Sequence, residues 1–511
     1  MAQLPQVYAG FGIHDIVFYK GADAKKFPNS EFLWRSPDGT TAFTTRLGKE
    51  KRWNFFFDFD IPVILGGDAK KPGWQSKFTY NTRLFHLTDD NFRNQYSTEL
   101  KPDRYIRKEK ILPAIDTVVS LLDETLSEHV LAAFDGTDFT SPLKEIPQVI
   151  NMVNELKKGE LELVHSTPEK YFEEVKADID KSKLIEYEGE MRFGPVNHVH
   201  SETMGTNTEI KQAIWNAENK IINILEPMTA MLYSVGVQSD KQAMRAMWKK
   251  LLSAEAHDSI HGSGDPKIKT DNLNRLEQVN AMADSLIRRS AEALCREIRF
   301  DRNEIHIVAL NTLPYARNEI LRLTIDFPAE DLTEDFTIYD EDGNRVDYYP
   351  PAEYDFNLAI HNDLLIGFEN ETSQCLGRQC FEYSVMFHSC DKNILMESRI
   401  YQTDILACEM GMGNGGVLPE HKKFLDIKSG KTAVSAFKLS EEGDGAILRI
   451  YNPYGDSVKE SIVFSEPVSD VWLCDFNEIP YEKAEIHNNE VTLEISPCKI
   501  VTLKYSLKYK S

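Results

Sequence analysis

The sequence predicts a multidomain α+β protein with an α/β segment, a bundle of three helices and a β-rich C-terminal region. The period of the apolar residues changes twice along the chain, and 511 residues are too many for one hydrophobic core. We therefore place three domains at residues 1–185, 186–300 and 301–511.

Strands and helices alternate in the last part of the first domain. HVLAAFD and ELELVHS have the composition of short strands, and SPLKEIPQVINMVNELKKG and TPEKYFEEVKADI that of helices. Thr167 before Pro168 supplies an N-cap and a proline at the first helical position, and Ser141 before Pro142 does the same. This alternation predicts βα architecture.

The middle domain has a helical period. Apolar residues recur three or four apart from Ile210 to Val235, and another such face runs from Leu276 to Leu294. Two stretches fit the capping-box spacing, Thr206 with Glu209 and Ser239 with Gln242. A three-helix bundle follows, and we expect Pro227 to kink or divide the first helix because it lacks an amide proton.

The C-terminal region is predicted to be mostly β. After Phe300, runs such as EIHIVAL, EILRLTIDF, GAILRIYN and EVTLEIS alternate with Asn, Asp, Gly and Pro turns.

The net charge of −23 argues against sequence-independent binding to nucleic acid or to an anionic membrane, since both need an excess of Lys and Arg. We expect no leader peptide and no apolar span long enough for a membrane. The seven cysteines form no C-x-x-C pair, so reduced thiols and a cytoplasmic location are expected.

The densest cluster of reactive side chains is AEAHDSIHGSGDPKIKTD, with His257, Asp258, His261 and Asp265 at a break between two helices. Imidazole and carboxylate are common zinc ligands, and a helix end can hold them rigidly. Turn and cap residues in a polar loop give the same pattern. On spacing alone we favour the polar loop.

A second cluster is AAFDGTDFTSP, where Asp135 and Asp138 follow a predicted strand and precede a predicted helix. Loops at the C-terminal ends of strands carry catalytic groups in α/β barrels. Helix capping explains the same carboxylates without a function, and on the pattern alone it is favoured.

A third stretch, RWNFFFDFDIPVILGGD, combines aromatic residues with Asp58 and Asp60. Aromatic faces beside carboxylates suit sugar rings. Phe55, Phe57 and Phe59 at period two fit the buried face of a strand equally well, and we favour a core strand.

Taken in order, these strings resemble glycoside hydrolase family 38, the α-mannosidases. LPQVYAGFGI, FFDFDIPVILGGD, FDGTDF, KQAIWNAENKIINILEP and AHDSIHG match pieces of the family pattern, and VALNTLPYARNEI, CLGRQCFEYSV and GAILRIYNP extend the match. The resemblance implies a partial seven-stranded α/β barrel as the catalytic domain, a helical middle domain and a C-terminal β-sandwich.

The resemblance also implies roles for individual residues. His257 would be a zinc ligand, Asp258 a contact to the sugar or the metal site, and Asp138 the acid/base. Asp60 would bind mannose hydroxyls. Lys20 would be a substrate contact, since it stands where the family usually has an arginine, and Phe59 stands where a tyrosine is frequent. His257 and Asp138 must reach one sugar ring, so we expect them within about 10 Å.

One departure concerns the nucleophile. In the family a nucleophilic aspartate and a His-x-Asp zinc pair precede the LPQ string, so we expect this chain to lack them and also part of the β region. Zinc would then bind weakly, because a catalytic site normally has three protein ligands.

The expected function is therefore zinc-assisted, retaining cleavage of a terminal α-mannosyl residue from an α-mannoside or oligosaccharide, incomplete in this chain. The alternatives are an inactive carbohydrate-binding remnant of such an enzyme and an unrelated metal hydrolase using His257, His261 and Asp265. The sequence leaves a homo-oligomer open.

Overall fold

The computed structural model describes residues 2–22, 24–47, 54–65, 105–136, 142–192, 201–261, 266–300, 304–317, 321, 337–340, 342–347, 385–386, 393–410 and 416–508. The chain divides into two compact units, Met1–Val199 and His200–Ser511. The three domain bounds proposed from the sequence stay a prediction.

The first unit combines a four-stranded sheet with helices. Its strands are β1 (Asp15–Phe18), β2 (Glu31–Arg35), β3 (Thr41–Arg46) and β4 (Glu186–Glu188). Their order is β1-β3-β2-β4, with β1 parallel to β3, β3 antiparallel to β2 and β2 parallel to β4. The helices are α1 (Leu4–Gly10), a π-helix (Phe56–Leu65), α2 (Lys108–Ser120), α3 (Ile146–Leu156), α4 (Pro168–Asp178) and a 3₁₀ turn (Lys181–Lys183).

The two faces of this sheet bury different side chains because successive residues of a strand point to opposite sides. Phe32 and Trp34 of β2 pack with Phe27 on one face. Leu33, between them, packs with Phe172 of α4 on the other. A separate apolar cluster joins the π-helix to α2 and α3.

The second predicted helix of this unit is confirmed. α4 begins at Pro168, and the Thr167 side chain accepts a hydrogen bond from the Lys170 amide. The preceding helix was predicted too early: α3 begins at Ile146 with a proline at its second position, and Ser141 lies outside the described residues.

The prediction of strands at HVLAAFD and ELELVHS is wrong in the described residues. Leu163 has no strand neighbour because its amide donates to Asn154 Oδ1 at 2.7 Å and its carbonyl accepts from Asn154 Nδ2 at 3.0 Å. One side chain thus satisfies the backbone groups that a sheet would otherwise use.

The aromatic stretch is a π-helix and not a strand, so the period-two interpretation is wrong. Phe55 and Phe59, four residues apart, stack with ring centroids 4.7 Å apart. Both rings are buried, as expected for core residues, whereas Phe57 is half-buried.

The second unit begins with the predicted three-helix bundle. Its helices are a 3₁₀ turn (Ser201–Gly205), α5 (Thr208–Glu218), a π-helix (Asn219–Leu225), α6 (Glu226–Ser234), α7 (Lys241–Glu255), α8 (His257–His261), α9 (Pro266–Arg296) and, beyond the bundle, α10 (Ile394–Gln402). α5, α7 and α9 pack on one another through apolar side chains that include Ile210 and Leu276 of the predicted faces and Leu251 of α7.

Both predicted capping boxes are wrong by one residue. Asn207, at φ 47°, precedes α5, and Asp240 caps α7 by accepting a hydrogen bond from the Ala243 amide. Thr206 instead donates to the His261 carbonyl at 2.9 Å. Pro227 divides the first helix as expected, since the π-helix ends just before it and α6 resumes around it.

The β-region follows the predicted pattern where the structure describes it. Its strands are β5 (His306–Leu310), β6 (Ile338–Tyr339), β7 (Arg345–Val346), β8 (Leu406–Met410), β9 (Leu425–Ile427), β10 (Ala433–Leu439), β11 (Ala446–Tyr451), β12 (Val458–Phe464), β13 (Val468–Cys474), β14 (Pro480–Lys483), β15 (Glu490–Ile495) and β16 (Ile500–Leu507). β10-β11-β16-β13-β14 and β15-β12-β9 form two sheets, while β5 pairs with β8 and β6 with β7.

Among the described residues, Cys295, Cys408 and Cys474 are free thiols. Among the described residues, no helix is long and apolar enough to cross a membrane.

A buried carboxyl group joins the bundle to the larger sheet of this unit. Glu226 of α6 accepts a hydrogen bond from Trp248 Nε1 at 3.0 Å, and burial raises its pKa to about 7 against the opposing charge of Lys438. Lys438 of β10 also pairs with Glu441 at 2.6 Å and Glu478 at 2.8 Å. Below about pH 7, the folded state therefore holds Glu226 mainly in its neutral form.

We predict that the second unit loses stability as the pH rises from about 4.5 to 7. Across this range the folded state holds a proton on Glu226 that the unfolded state has released, so unfolding becomes easier by roughly 3 kcal/mol. Glu226→Gln keeps an acceptor for Trp248 and should remove this slope in denaturant unfolding at pH 5 and pH 8. Glu277→Gln, at an exposed position of α9, is the control; an equal effect there would contradict the assignment.

Candidate active site

The first candidate site centres on Asp60, a carboxyl group buried in the π-helix of the first unit. The residue is 0% exposed, with Phe59 and Ile61 of the same apolar cluster on either side. Neither carboxyl oxygen accepts a hydrogen bond from any residue that the structure describes. Such a group is costly to ionise in place.

Asp135 lies beside this buried carboxyl group but is itself exposed. Its carboxyl group interacts with the Asp60 carboxyl group and disfavours a negative charge there. It also accepts a hydrogen bond from the amide of Gly136 at 2.6 Å. Gly136 has φ 96°, so the chain turns here in a conformation that favours glycine.

The two segments are held together by Asn54. Its Oδ1 accepts hydrogen bonds from the Phe55 amide at 2.9 Å and the Phe134 amide at 3.2 Å. The Phe55 amide also reaches the Phe134 carbonyl at 3.2 Å. This buried amide therefore sets where Asp60 and Asp135 meet, 75 residues apart in sequence.

Asp178 of α4 anchors the start of the segment that leads to Asp135. It accepts hydrogen bonds from Ser127 Oγ at 2.5 Å, from the His129 amide at 3.1 Å and from His129 Nδ1 at 2.8 Å. These donors, Ser127 first, lower the pKa of Asp178 to about 2. The segment is thus fixed at both of its ends.

Burial raises the pKa of Asp60 well above its usual range. Hydrogen bonding to Asp135 and the charge of Asp135 act in the same direction, and so does the charge of Glu145. Glu145 stands at the N-cap of α3, and its Oε2 is buried without a hydrogen bond among the described residues. The protonated form of Asp60 is therefore favoured.

The burial of Asp60 limits its chemistry. The acid and the nucleophile of a retaining glycosidase must both reach one glycosidic bond. A carboxyl group that is 0% exposed cannot contact a sugar in this structure.

The second candidate site is His257 at the start of α8, in the second unit. Ala256, at ψ 137°, ends α7, so the predicted helix break is confirmed. The His257 side chain is 89% exposed and that of Asp258 73%. Lys211 Nζ donates to the Ile260 carbonyl at 2.9 Å and so ties α8 to α5.

The side chains around His257 supply part of a zinc site. His257 Nε2 and Asp258 Oδ2 are 3.6 Å apart, near the separation of about 3.4 Å for two ligands of one tetrahedral zinc. His261 Nε2 is 4.0 Å from Asp258 Oδ1. Among the described residues, however, no group of three His, Cys, Asp or Glu side chains can hold a metal ion. These residues do not complete a zinc site.

The remaining predicted residues are spread over the chain. Lys20 is exposed just after β1. Asp138 and Asp265 lie outside the described residues, so the expected closeness of Asp138 and His257 stays a prediction.

Sequence analysis singled out Asp60 and Asp135 separately and missed Asn54 and Glu145. A glutamate just before Ile-Pro at a helix start was the only local signal for Glu145.

Comparison with protein families gives three matches in chain order. The model described as "Glycosyl hydrolases family 38 N-terminal domain" matches residues 1–190, "Alpha mannosidase middle domain" matches 198–294, and "Glycosyl hydrolases family 38 C-terminal beta sandwich domain" matches 431–503.

Individual relatives agree with these matches. The chain is 25% identical over 146 residues to Alpha-mannosidase 2C1 of Mus musculus, a stretch that covers 28% of this chain but only 13% of the mouse protein. An alpha-mannosidase from Enterococcus faecalis V583 has a similar fold, with a TM-score of 0.69 at 13% identity over 99% of this chain and 85% of the other. A second Enterococcus faecalis structure, of a glycosyl hydrolase family 38 protein, gives 0.62 at 13% identity with the same coverage.

The family models match the N-terminal, middle and C-terminal parts of the chain in the order found in one enzyme family. This protein belongs to glycoside hydrolase family 38.

Proposed function

We propose that this protein acts on α-mannosides as a zinc-assisted, retaining glycosidase that removes terminal α-mannosyl residues. The observation that carries the proposal is the run of family matches over three successive parts of the chain. The mouse relative and one Enterococcus faecalis relative are both named alpha-mannosidases, which supports an oligosaccharide or other α-mannoside as substrate.

Asp138 is the proposed acid/base. It follows Asp135 by three residues in the sequence and lies outside the described residues. A carboxylic acid can protonate the leaving oxygen as the glycosidic bond breaks.

The family resemblance also suggests residues that contact zinc or the sugar. His257 is the proposed zinc ligand and Asp258 its neighbour at the sugar or the metal. Lys20, exposed, is a proposed substrate contact. Asp60 has no exposed surface with which to meet a mannose hydroxyl, so any effect that it has on the sugar would pass through Asp135. The cytoplasmic location stays a prediction from the cysteine pattern.

A sugar-binding protein without turnover is the second candidate. This candidate is supported by the small number of possible zinc ligands at His257. Among the described residues they number fewer than the three that a catalytic zinc site normally has. Family membership argues against the third alternative, an unrelated metal hydrolase. Equilibrium binding of a mannoside without its hydrolysis would favour the second candidate.

We predict that the 511-residue chain by itself hydrolyses an aryl α-mannoside slowly. Protonation of the leaving group contributes about 10² to 10⁴ in rate, a small part of what glycoside cleavage requires, so acid catalysis by Asp138 alone supports only slow turnover. Asp138→Asn should remove most of the measured rate for a poor leaving group and less for an activated one. Glu162→Gln, exposed in the same unit, is the control; zinc-dependent turnover at ordinary enzyme rates would contradict the prediction.

We also predict that zinc is bound weakly, and mainly through His257. Zinc measured after dialysis against a mild chelator should fall below one ion per chain, and His257→Ala should lower it further. His487 is a matched control, because its Nε2 also lies 3.6 Å from a carboxylate, that of Glu485, on an exposed surface. Stoichiometric zinc after dialysis, or an equal loss in His487→Ala, would show that the site is built differently.

A further inference from the structure

Two backbone irregularities of the second unit lie at the same pocket. In the bundle, α5 continues into the π-helix Asn219–Leu225. Strand β10 has a bulge, because its register with β11 shifts between Val434 and Ala436 and leaves Ser435 as an extra residue. The π-helix and the bulge both line this pocket. Short π-helices and β-bulges are both frequent at functional sites, so we searched the pocket for the ligand that it fits.

The pocket combines apolar walls with polar groups, as ligand sites commonly do. Ile222, Leu313 and Phe437 contribute apolar surface, whereas Arg399 of α10 and Tyr315 contribute a cation and a phenol. The space open to the centre of a water-sized sphere is about 20 Å³, and the pocket holds about 310 Å³ when its open side is counted. The inner space accommodates roughly one or two water molecules, or the two oxygen atoms of a carboxylate.

Neutral amide groups position Arg399 at this pocket. Arg399 Nη1 donates to Asn223 Oδ1 at 2.6 Å, and Asn223 Nδ2 donates to Asn219 Oδ1 at 2.6 Å. Asn219 in turn donates to the Gln402 carbonyl at 2.7 Å and accepts from Thr403 Oγ1 at 3.2 Å. These contacts fix the guanidinium group between the π-helix and the end of α10, and the amide that it touches does not neutralise its charge.

Tyr315 supplies a buried hydroxyl group beside the bulge. Its oxygen accepts a hydrogen bond from the Val434 amide at 3.4 Å, so the phenol proton is directed elsewhere and can be donated to a ligand. Burial raises the pKa of the Tyr315 phenol, which therefore keeps its proton at neutral pH. Thr312 Oγ1 donates to the Asn223 carbonyl at 2.7 Å and ties the segment before Tyr315 to the π-helix.

One acid near Tyr315 opposes an anion. Glu460 of β12 is completely buried, and its charge acts on the Tyr315 phenol. Its carboxylate accepts hydrogen bonds from the Ser429 amide at 2.8 Å, Thr432 Oγ1 at 2.6 Å and the Ser461 amide at 3.0 Å. These donors stabilise the charge of Glu460 in place, but its repulsion remains. We therefore expect weak binding of an anion, with a Kd of about 1 mM.

We propose that this pocket binds a small carboxylate, whose oxygen atoms accept hydrogen bonds from Arg399 and Tyr315. The planar fork of a guanidinium group matches the two oxygens of a carboxylate. Apolar wall residues such as Leu313 and Phe437 suit a short alkyl group, which inorganic phosphate lacks. The proposal concerns the second unit alone and does not depend on mannoside hydrolysis.

The test is a titration of the full chain with ¹³C-labelled acetate, followed by ligand-observed NMR. Arg399→Gln removes the charge, and Tyr315→Phe removes only the hydroxyl group. Arg288→Gln, at an exposed position of α9, removes the same charge and is the control. We expect Arg399→Gln to weaken binding about tenfold or more, the factor for one hydrogen bond to a charged group, and Tyr315→Phe to weaken it less. Arg288→Gln should bind as the wild type does.

Two further probes test the chemistry of the ligand. Acetamide has nearly the shape of acetate without its charge, and inorganic phosphate has charge without an alkyl group. Both should bind at least about tenfold more weakly than acetate, because each lacks one of the two matched features. If Arg399→Gln does not fold, Tyr315→Phe and the comparison of acetate with acetamide still test the proposal.

Amide hydrogen exchange locates the bound acetate. Saturating acetate should slow exchange in residues 219–225 and 433–437 of the wild type and of Arg288→Gln, but not of Arg399→Gln. Equal acetate binding by the wild type and Arg399→Gln would overturn the proposal, and so would equal binding of acetamide or tighter binding of phosphate. Absence of saturable acetate binding would also overturn it and leave water as the occupant of the pocket.

Discussion

An isolated charge is unstable in an apolar core, and this constraint shapes the first unit around Asp60. The π-helix places the carboxyl group between buried aromatic and aliphatic side chains, with Asp135 as its polar neighbour. The chain can keep an acid in that position only if it is neutral or neutralised. Asn54 joins two distant segments by accepting hydrogen bonds from the Phe55 and Phe134 amides, and so it brings Asp135 near the buried acid.

The second unit shows the same constraint with a different solution. Glu226 is also buried, but it has a donor in Trp248 and a cation nearby in Lys438, and its pKa is raised only to about 7. Where donors and a cation are present, the carboxyl group remains close to titrating. At Asp60, burial and the charges of Asp135 and Glu145 all raise the pKa, so the neutral form is favoured there too. The two sites differ in their partners rather than in the depth of burial.

Local signals explain how much of the fold the sequence could predict. α4 with its Thr167 cap, the bundle with its long apolar face and the strands β11 and β15 all follow from composition and period within one segment. The errors arise where tertiary contacts decide. Asn154 satisfies the backbone of Leu163 and so replaces a strand. At the aromatic stretch, the buried residues follow the turns of a π-helix, which a period of two cannot reveal.

The candidate site, like the fold, was predictable from local sequence only in part. Short motifs identified Asp135, Asp138 and His257, but no local pattern reveals that Asp60 and Asp135 meet, since 75 residues separate them. Burial limits what Asp60 can do. A carboxyl group with no exposed surface cannot contact a sugar, so the catalytic roles of a retaining glycosidase belong to other carboxyl groups.

The most direct test of this account is covalent labelling by a fluorinated α-mannosyl fluoride, which traps the nucleophile of a retaining enzyme as a glycosyl ester. The labelled carboxylate can be located by peptide mass spectrometry of the full chain. The account predicts no label on Asp60, which has no exposed surface, and none on Asp138, which acts as the acid. A mannosyl ester on either residue would contradict the account.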